Sequence, residues 1–381
     1  MRAAGVETLV DARDVAIIGI PEIARALGKL YRAFRKLINA ARQRRPDVVV
    51  LIDWPDFNLR LARKLHREGF KIVYYISPQV WAWRSYRVRA MGRDVDRMLV
   101  ILPFEREFYK DAGLDVEYVG HPLAESVRAN ASREEFATRC GLDAARPIIT
   151  LLPGSRQKEV HYHLPAMLDA ANRLRTLRLR IADCGLRIEE TELPQSGACS
   201  PQSPIPNPQP EIDESVIGYP QFLIPIASTI DRDQVETIIK QSNGPLDLAI
   251  VEHDAYNALS YSELAVVASG TATVEAALLG TPMVIVYRGS ELNWRLIRPL
   301  IKLDTFGMVN LIAGRRIVPE LMQHGVTGEK IALEVSNILR DPPRLDQMKR
   351  DLAAVREQLT STSGSASERA ARAVLDTIDQ A

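Results

Sequence analysis

The amino-acid sequence predicts an α/β protein made of two doubly wound units, each with a parallel sheet. Short runs rich in Val, Ile and Leu alternate with helix-period segments along most of the chain. The runs are apolar at consecutive positions, which is typical of parallel strands that are covered by helices on both faces. A chain of 381 residues is also long enough for two domains of ordinary size.

The predicted elements follow one another as strand and helix. The strands are 47–53, 71–77, 97–102, 116–120, 147–152, 221–226, 264–269 and 283–287, and the helices between several of them include 58–68, 163–175, 271–280 and 329–340. The first of these strands, DVVVLID, reads as buried on both faces. A division between the units is predicted near 140–147, where Gly, Asp and Pro precede a new strand.

The composition is that of a soluble globular protein, with 46% hydrophobic and 25% charged residues and a net charge of +1. Nucleic acid is therefore not expected as the main partner, because binding it requires a dominant basic surface. Three scattered cysteines indicate a reducing compartment. No apolar run approaches the ~20 residues of a membrane span and no secretory signal follows Met1, so we expect a cytoplasmic protein.

Two segments depart from the alternating pattern. Residues 175–220 become rich in Pro, Ser and Gln, and we expect a disordered insertion there because such a composition buries too little apolar surface. The helix at 21–45 is amphipathic and strongly basic. It either lies on an anionic membrane surface or packs its apolar face on the sheet. Its apolar face includes Ile23, Leu27, Leu30 and Phe34.

The motif IDWPDFN places polar side chains at the end of the first predicted strand. Catalytic groups collect at the carboxyl ends of strands in α/β proteins. Asp56 precedes a helical segment and is interpreted as its N-cap, which leaves Asp53 free to act as a base. Asn58 completes the motif.

Two further strand ends carry Gly-containing turns. Ser155 and Arg156 follow Pro-Gly in LLPGSRQKEV, where backbone amides and a guanidinium suit a phosphate or diphosphate; the alternative is a tight turn with a solvated Arg. At the second turn, free amides at a helix start favour an anionic diphosphate and a carboxylate can accept from ribose hydroxyls; the alternative is a capped buried helix. The residues of this second turn are Ser269, Gly270, Thr271 and Glu275.

His121 follows another strand, and its role as a ligand or in hinge packing stays open. The Asp-x-Asp pairs at 94–96 and 231–233 are too short to indicate a metal, and His161 and His163 have no Cys or Glu cluster at metal spacing. No metal site is therefore predicted.

Taken together, the motifs resemble the lipid-A-disaccharide synthase family. The segments that carry the resemblance are IDWPDFN, YYISPQVWAWRSYRVRAMGRDVDRMLVILPFEREFY, YVGHPLAE, LLPGSRQKEV, ASGTATVEAALLGTPMVIVYR and VNLIAGRRIVPEL. They occur in the family's order and cover nearly the whole chain outside 175–220.

The resemblance implies the GT-B glycosyltransferase architecture, with two Rossmann-like domains and a cleft between them. Residues 1–145 would form the acceptor and lipid side, 146–358 the UDP-sugar domain, and 359–381 a linker and a helix returning to the first domain. It also implies an inverting transfer, without metal or other cofactor, of 2,3-diacylglucosamine from its UDP derivative to 2,3-diacylglucosamine 1-phosphate (lipid X). The products would be lipid A disaccharide 1-phosphate and UDP.

The resemblance also implies roles for individual residues. Asp53 matches the family's base, while Asp56, Asn58 and His121 would lie on the acceptor side or in the cleft. The UDP-sugar would be bound by Ser155, Arg156, Ser269, Gly270, Thr271, Glu275 and Asn310. The helix with Ile23, Leu27, Leu30 and Phe34 would face lipid, at the cytoplasmic face of the inner membrane of a Gram-negative-type bacterium. A homodimer through the C-terminal region is a further implied partner.

Two differences from the family pattern bear on these expectations. Family members begin about 45 residues earlier with a strand and a small-residue loop, so we expect an incomplete first sheet with unpaired edges, and an unstable or inactive chain. The other difference is the insertion at 175–220. The alternatives to the synthase are another GT-B enzyme acting on UDP-sugars (an N-acetylglucosaminyl transferase or an epimerase) and an impaired homologue that only binds.

Overall fold

A computed structural model of the chain describes residues 5–10, 20–83, 88–176, 179–180, 217–242, 244–291, 294–295, 305–360 and 364–379, and gives only the backbone at 20–27, 82–83, 179–180 and 217–218. The chain forms two compact units. The first contains Met1–Ser126 and Glu357–Ala381, and the second contains Val127–Arg295 and Thr305–Arg356.

The first unit has a parallel sheet in the order β1-β2-β3-β4. Its strands are β1 (Val49–Ile52), β2 (Ile72–Tyr75), β3 (Arg97–Val100) and β4 (Glu117–Tyr118). Its helices are α1 (Ile20–Arg44), α2 (Pro55–His66), α3 (Val80–Trp83), α4 (Val88–Asp94), α5 (Pro103–Asp111), α6 (Leu123–Ser126) and, at the end of the chain, α15 (Ala366–Asp379).

Helices cover the two faces of this sheet unequally. One face packs with α1, α2 and α4 in a cluster that contains Ile38, Leu65, Ile72 and Met91. The opposite face, formed by Val73 of β2, Leu99 of β3 and Val119 directly after β4, packs against Ala370 and Ala373 of α15. Backbone carbonyls of α15 also accept hydrogen bonds from Lys71 Nζ (3.0 Å) and Arg97 Nη1 (2.8 Å).

The prediction that the first strand is buried on both faces is wrong. Val50 and Ile52 are 39% and 44% exposed, whereas Leu51 between them is buried. Alternate side chains point to opposite faces of a sheet. Within the described chain, β1 lies at the end of the strand order, and α15 covers the neighbouring strands on that face and leaves β1 open.

The second unit contains a six-stranded parallel sheet in the order β12-β11-β10-β5-β8-β9. Its strands are β5 (Ile148–Leu152), β8 (Gln221–Ile226), β9 (Leu248–Glu252), β10 (Leu264–Ala268), β11 (Met283–Tyr287) and β12 (Glu320–Met322). Its helices are α7 (Arg133–Cys140), α8 (Gln157–Leu174), α9 (Arg232–Gln241), α10 (Ala255–Ser260), α11 (Ala272–Leu278), α12 (Met308–Ile312), α13 (Gly328–Leu339) and α14 (Pro342–Thr360), whose last residues belong to the first unit.

This strand order fixes where a ligand can bind in the second unit. From β5 the chain adds β8 and β9 on one side, then returns and adds β10, β11 and β12 on the other. The direction of winding therefore reverses between β5 and β10. Ligands of doubly wound sheets bind at the carboxyl ends of the strands that flank such a reversal. The two Gly-containing turns predicted from the sequence follow β5 and β10.

The boundary between the units lies earlier than the predicted division after residue 145. Phe136 and Ala137 of α7 pack with Ile148, Leu223 and Ala258 of the second unit. The apolar face of α7 therefore assigns this helix to the second unit, and the division falls between Ser126 and Val127.

The predicted insertion at 175–220 begins and ends in a short backbone ladder. β6 (Leu179–Arg180) pairs antiparallel with β7 (Ile217–Gly218), with Leu179 opposite Gly218. Residues 181–216 lie outside the described residues, and the prediction of disorder falls mostly on them.

Candidate active site

Asp53 follows β1 directly and lies in a turn that is held by several hydrogen bonds. Asp53 and Trp54 both have left-handed backbone conformations, with φ of 48° and 46°. The Asp53 carbonyl accepts hydrogen bonds from Asn58 Nδ2 (2.8 Å) and from the Tyr74 hydroxyl (2.6 Å). The Asp53 N–H donates to the Tyr75 carbonyl (3.0 Å). The carboxylate is exposed and has no hydrogen-bond partner among the described residues. A fixed backbone thus presents a carboxylate that is available to a substrate hydroxyl.

Burial, aided by the charge of nearby Asp53, raises the pKa of Tyr74. Tyr74 therefore stays protonated at neutral pH and remains a donor to the Asp53 carbonyl. This tether does not depend on the ionisation of the Asp53 carboxylate, because it holds the backbone.

The predicted N-cap role of Asp56 is wrong. The N-cap of α2 is Trp54, with Pro55 in the first helical turn, and no side chain caps the helix. Asp56 lies in the first turn, where its negative charge is favourable near the helix N-terminus. Asn58 is buried, and its amide donates to the carbonyls of Ile52 (3.1 Å) and Asp53 (2.8 Å). Asn58 therefore supports the turn that carries Asp53.

His121 is buried on the loop after β4, and its Nδ1 accepts a hydrogen bond from the Leu123 N–H (3.2 Å). Burial lowers the pKa of His121 to about 4. The imidazole is therefore neutral at physiological pH. The sequence left His121 open as a ligand or as a hinge-packing residue. Its burial and its hydrogen bond to Leu123 favour packing of the loop.

Helix α1 combines a core-facing side with a basic exposed side. Phe34 packs edge-on against Phe57, with ring centroids 5.7 Å apart, and contacts the core of the first unit. The assignment of Phe34 as lipid-facing is therefore wrong, because this part of the apolar face of α1 packs on the core of the first unit. Leu30 is half-buried. The side chains of Ile23 and Leu27 lie outside the described residues. None of the described helices combines the length and apolarity that crossing a membrane requires.

The turn after β5 is closed by a carboxylate that the sequence interpretation missed. Glu159 Oε2 accepts from the backbone N–H groups of Ser155 (3.0 Å) and Arg156 (3.3 Å), and Oε1 pairs with Arg156 Nη1 (2.7 Å). The amides predicted to bind a diphosphate are thus already paired. The Arg156 side chain is 81% exposed and remains accessible to a ligand. The spacing Arg-x-x-Glu at a helix start was the available signal for this pairing.

The turn after β10 is open. Ser269 donates its N–H to the Val286 carbonyl (2.9 Å) and its hydroxyl to the Phe306 carbonyl (3.4 Å). A side chain added at Gly270 would meet no atom within 4 Å. The backbone N–H groups of Gly270 and Thr271 have no acceptor among the described residues. This turn therefore offers both free donors and space at the winding reversal.

Glu275 lies in α11, one turn after this open segment. It is half-buried, and burial raises the pKa of its carboxyl group. The described part of the chain provides it with no hydrogen-bond donor. A desolvated carboxylate without a partner is unfavourable, and hydroxyl groups of a bound ligand would supply the missing donors.

Asn310 is fully buried and bonded within the protein. Its Oδ1 accepts from the N–H groups of Ile317 (2.8 Å) and Val318 (3.0 Å), and its Nδ2 donates to Val318 O (2.9 Å) and Glu320 Oε1 (2.7 Å). An amide group offers two acceptor positions and two donors, and all four are used. The resemblance implied that Asn310 contacts the substrate directly. In this arrangement no donor or acceptor of its side chain is left for such a contact.

Comparison with known protein families matches the lipid-A-disaccharide synthetase model over residues 1–182 and 214–374. The synthase of Koribacter versatilis is 44% identical over 377 residues, covering 98% of this chain and 87% of that protein. The synthase of Solibacter usitatus is 39% identical over 379 residues, covering 100% and 88%. This chain belongs to the lipid-A-disaccharide synthase family. Most of the predicted insertion, 183–213, lies outside the family match.

Two solved structures show which fold the chain shares. The UDP-GlcNAc 2-epimerase of Neisseria meningitidis aligns with a TM-score of 0.56 at 10% identity, over 92% of this chain and 81% of that one. A UDP complex of MnaA from S. aureus aligns with a TM-score of 0.55 at 11% identity, over 92% and 80%. These alignments show the GT-B fold, and membership of the synthase family makes the chain a glycosyltransferase.

The sequence interpretation also missed Glu105, a carboxylate that binds the chain after β2. Glu105 is buried and accepts from Ser77 Oγ (2.6 Å), Leu102 N (3.0 Å) and Trp81 Nε1 (3.2 Å). Burial raises its pKa.

Among the described His, Cys, Asp and Glu residues, no three come together in a group able to hold a metal ion.

Proposed function

We propose that this chain joins two acylated glucosamines at the cytoplasmic face of the inner membrane. It transfers 2,3-diacylglucosamine from UDP-2,3-diacylglucosamine to the 6-hydroxyl of 2,3-diacylglucosamine 1-phosphate, with inversion at the anomeric carbon. Membership of the synthase family supports this reaction. The structural observation that carries the proposal is Asp53, an exposed carboxylate on a firmly held turn.

Asp53 is proposed as the general base. Inversion requires one in-line attack, so a single base that accepts the proton of the attacking hydroxyl is sufficient. The anomeric carbon–UDP bond breaks as the new carbon–oxygen bond forms, and the electron pair leaves with UDP. Because Asn58 and Tyr74 bind the Asp53 backbone, the position from which its side chain extends is set before the substrate arrives.

The turn after β10 is proposed to bind the departing UDP. The unpaired amides of Gly270 and Thr271 are suited to the diphosphate, and Glu275 is suited to ribose hydroxyls. Arg156 adds a cation from the turn after β5. Charge on the leaving group would thus be stabilised without metal. Equal turnover in excess EDTA and in Mg²⁺ is expected, and a loss of turnover in EDTA that Mg²⁺ restores would contradict this part.

Membrane association is proposed through the exposed side of α1. Arg32, Arg35 and Lys36 are exposed, and Tyr31 is 61% exposed beneath the Arg35 guanidinium, 6.0 Å from the ring centre. Each cation near an anionic membrane contributes about 1 kcal/mol. The chain should co-sediment with vesicles containing phosphatidylglycerol and not with vesicles of phosphatidylcholine alone. Equal binding to both would remove the role of charge.

A homodimer through the C-terminal region is also proposed. Leu375 of α15 is 59% exposed, and an exposed Leu on a terminal helix is suited to an apolar contact. Sedimentation should give twice the chain mass for the unaltered protein and the monomer mass for Leu375→Asp. A monomeric unaltered protein would contradict the proposal.

The transfer reaction itself is tested with purified donor and acceptor lipids. Asp53→Asn should lower kcat by roughly 10²–10⁴-fold, the usual contribution of a positioned base, while the Kd for UDP stays unchanged. Asp115→Asn, an exposed carboxylate of the same unit, is the matched control. Unchanged turnover in Asp53→Asn would exclude it as the base, and the absence of any disaccharide from the unaltered enzyme would contradict the proposed reaction.

A further inference from the structure

Glu320 occupies the first position of β12 and binds three nitrogen donors of one segment. Its Oε2 accepts from Phe306 N (2.8 Å), and its Oε1 accepts from Gly307 N (2.9 Å) and Asn310 Nδ2 (2.7 Å). We propose that Glu320 is a positioning residue of the nucleotide site, which it shapes by fixing the segment from Phe306 to Asn310. The inference rests on the proposed function only in assigning the turn after β10 to UDP.

The segment that Glu320 fixes lies directly behind that turn. The Phe306 carbonyl accepts the Ser269 hydroxyl (3.4 Å). On the other side of the same peptide unit, the Gly307 backbone lies so close to Ile285 of β11 that a Cβ would collide with its Cδ1 atom. Ser269 thus contacts a backbone segment whose position is fixed by Ile285 and Glu320. A shift of this segment would move the oxygen to which Ser269 is bonded.

Asn310 completes the arrangement from the far end of the segment. It binds Glu320 and, through Ile317 and Val318, the chain that leads into β12. Asn310 and Glu320 therefore hold both ends of one loop to each other. A change at this fully buried amide would therefore reach Ser269 through Glu320 and the Phe306–Gly307 backbone, without any contact between Asn310 and the nucleotide.

A carboxylate is required at this position because all three partners are donors. Two oxygens with acceptor capacity only can satisfy them, and bonds to an ionised acceptor are the stronger ones. A Gln side chain would have to direct its NH2 group at one of these donors. Glu320→Gln therefore tests the acceptor chemistry of this position and not the size of its side chain.

The test compares Glu320→Gln with Glu252→Gln. Glu252 ends β9, the edge strand on the other side of the same sheet, and its partner is the exposed Arg232 (3.0 Å). For Glu320→Gln, the Kd for UDP and the KM for the UDP-sugar should rise about tenfold or more, while the acceptor KM stays unchanged. The control should retain all three constants. Hydrogen exchange at the Phe306 and Gly307 amides should accelerate only in Glu320→Gln.

The outcomes separate positioning from simple stability. A structural role alone would lower the fraction of active enzyme and leave the UDP Kd of the folded fraction unaltered, and this result would overturn the proposal. If Glu320→Gln does not fold, Asn310→Ser replaces it, with the same exchange and UDP measurements and the same criteria. If the unaltered enzyme binds UDP but makes no disaccharide, the proposed function fails and the role of Glu320 in UDP binding is still decided by its own Kd.

Discussion

Replacing Asn58 with Ala tests whether the turn at Asp53 is held under strain. Left-handed backbone costs about 1–2 kcal/mol per residue, hence about 2–4 kcal/mol for Asp53 and Trp54 together. The structure offsets this with four hydrogen bonds: two from Asn58, one from the Tyr74 hydroxyl and one to Tyr75. At about 1 kcal/mol each, they amount to about 4 kcal/mol. The strain and its compensation are therefore of the same size.

Asn58→Ala removes two of these bonds and leaves the part-buried carbonyls of Ile52 and Asp53 with fewer donors. The expected loss in the free energy of unfolding is about 2 kcal/mol, reduced by about 0.5 kcal/mol because Ala favours helix over Asn. The remaining bonds no longer outweigh the strain, so the turn should populate other conformations. Since 1.4 kcal/mol corresponds to a factor of ten, kcat should fall by roughly 10–30-fold.

Urea denaturation followed by circular dichroism measures the first effect, and initial rates of disaccharide formation measure the second. The Kd for UDP should not change, because Asn58 belongs to the first unit. Asn39→Ala is the matched control, since Asn39 is an exposed amide on helix α1 of the same unit. The reasoning is refuted if Asn58→Ala loses stability but keeps its kcat, or if neither quantity changes.

Two further predictions concern buried or strained positions. Gly154→Ala should lower the free energy of unfolding by about 1–3 kcal/mol and weaken UDP-sugar binding, because φ is 120° and a Cβ would collide with Glu159; unchanged stability in thermal melting would count against it. The folded-state pKa of His121 is about 4 and its unfolded value is about 6.5, so the unfolded state binds more protons between these values and stability falls as pH falls from 6.5 to 4. The loss reaches roughly 2 kcal/mol at pH 5, and it should be smaller in His121→Gln when denaturation at pH 7 and pH 5 is compared; an equal loss in both would exclude His121 as its source.

The continuous apolar strands were the part of the fold that the sequence determined best. β8 and β11 have the predicted limits of 221–226 and 283–287, because strands buried on both faces need no polar positions. The strand β9 (Leu248–Glu252) was missed. It lies at the edge of its sheet and its side chains are only partly buried, so its sequence resembles that of a loop or a short helix.

The candidate site was predictable where it depends on strand ends and unpredictable where it depends on tertiary contacts. Asp53 and the turn at Ser269 follow strands directly, and topology alone brings each of them to the carboxyl edge of its own sheet. The burial of Asn310 and the pairing of Glu159 with backbone amides depend on where distant segments come to lie. Phe34 shows the same limit, because an apolar helix face is the same in sequence whether it covers a sheet or a lipid surface.

The ladder between β6 and β7 has a practical consequence. It brings Leu179 and Gly218 opposite each other, so that the chain leaves the second unit and re-enters it at neighbouring points. The entropy of closing a loop grows only with the logarithm of its length, about 0.6 kcal/mol for each doubling. A genetically encoded reporter inserted between these strands would thus cost the second unit little stability. The enzyme could then be followed in living cells with a label away from both chain ends.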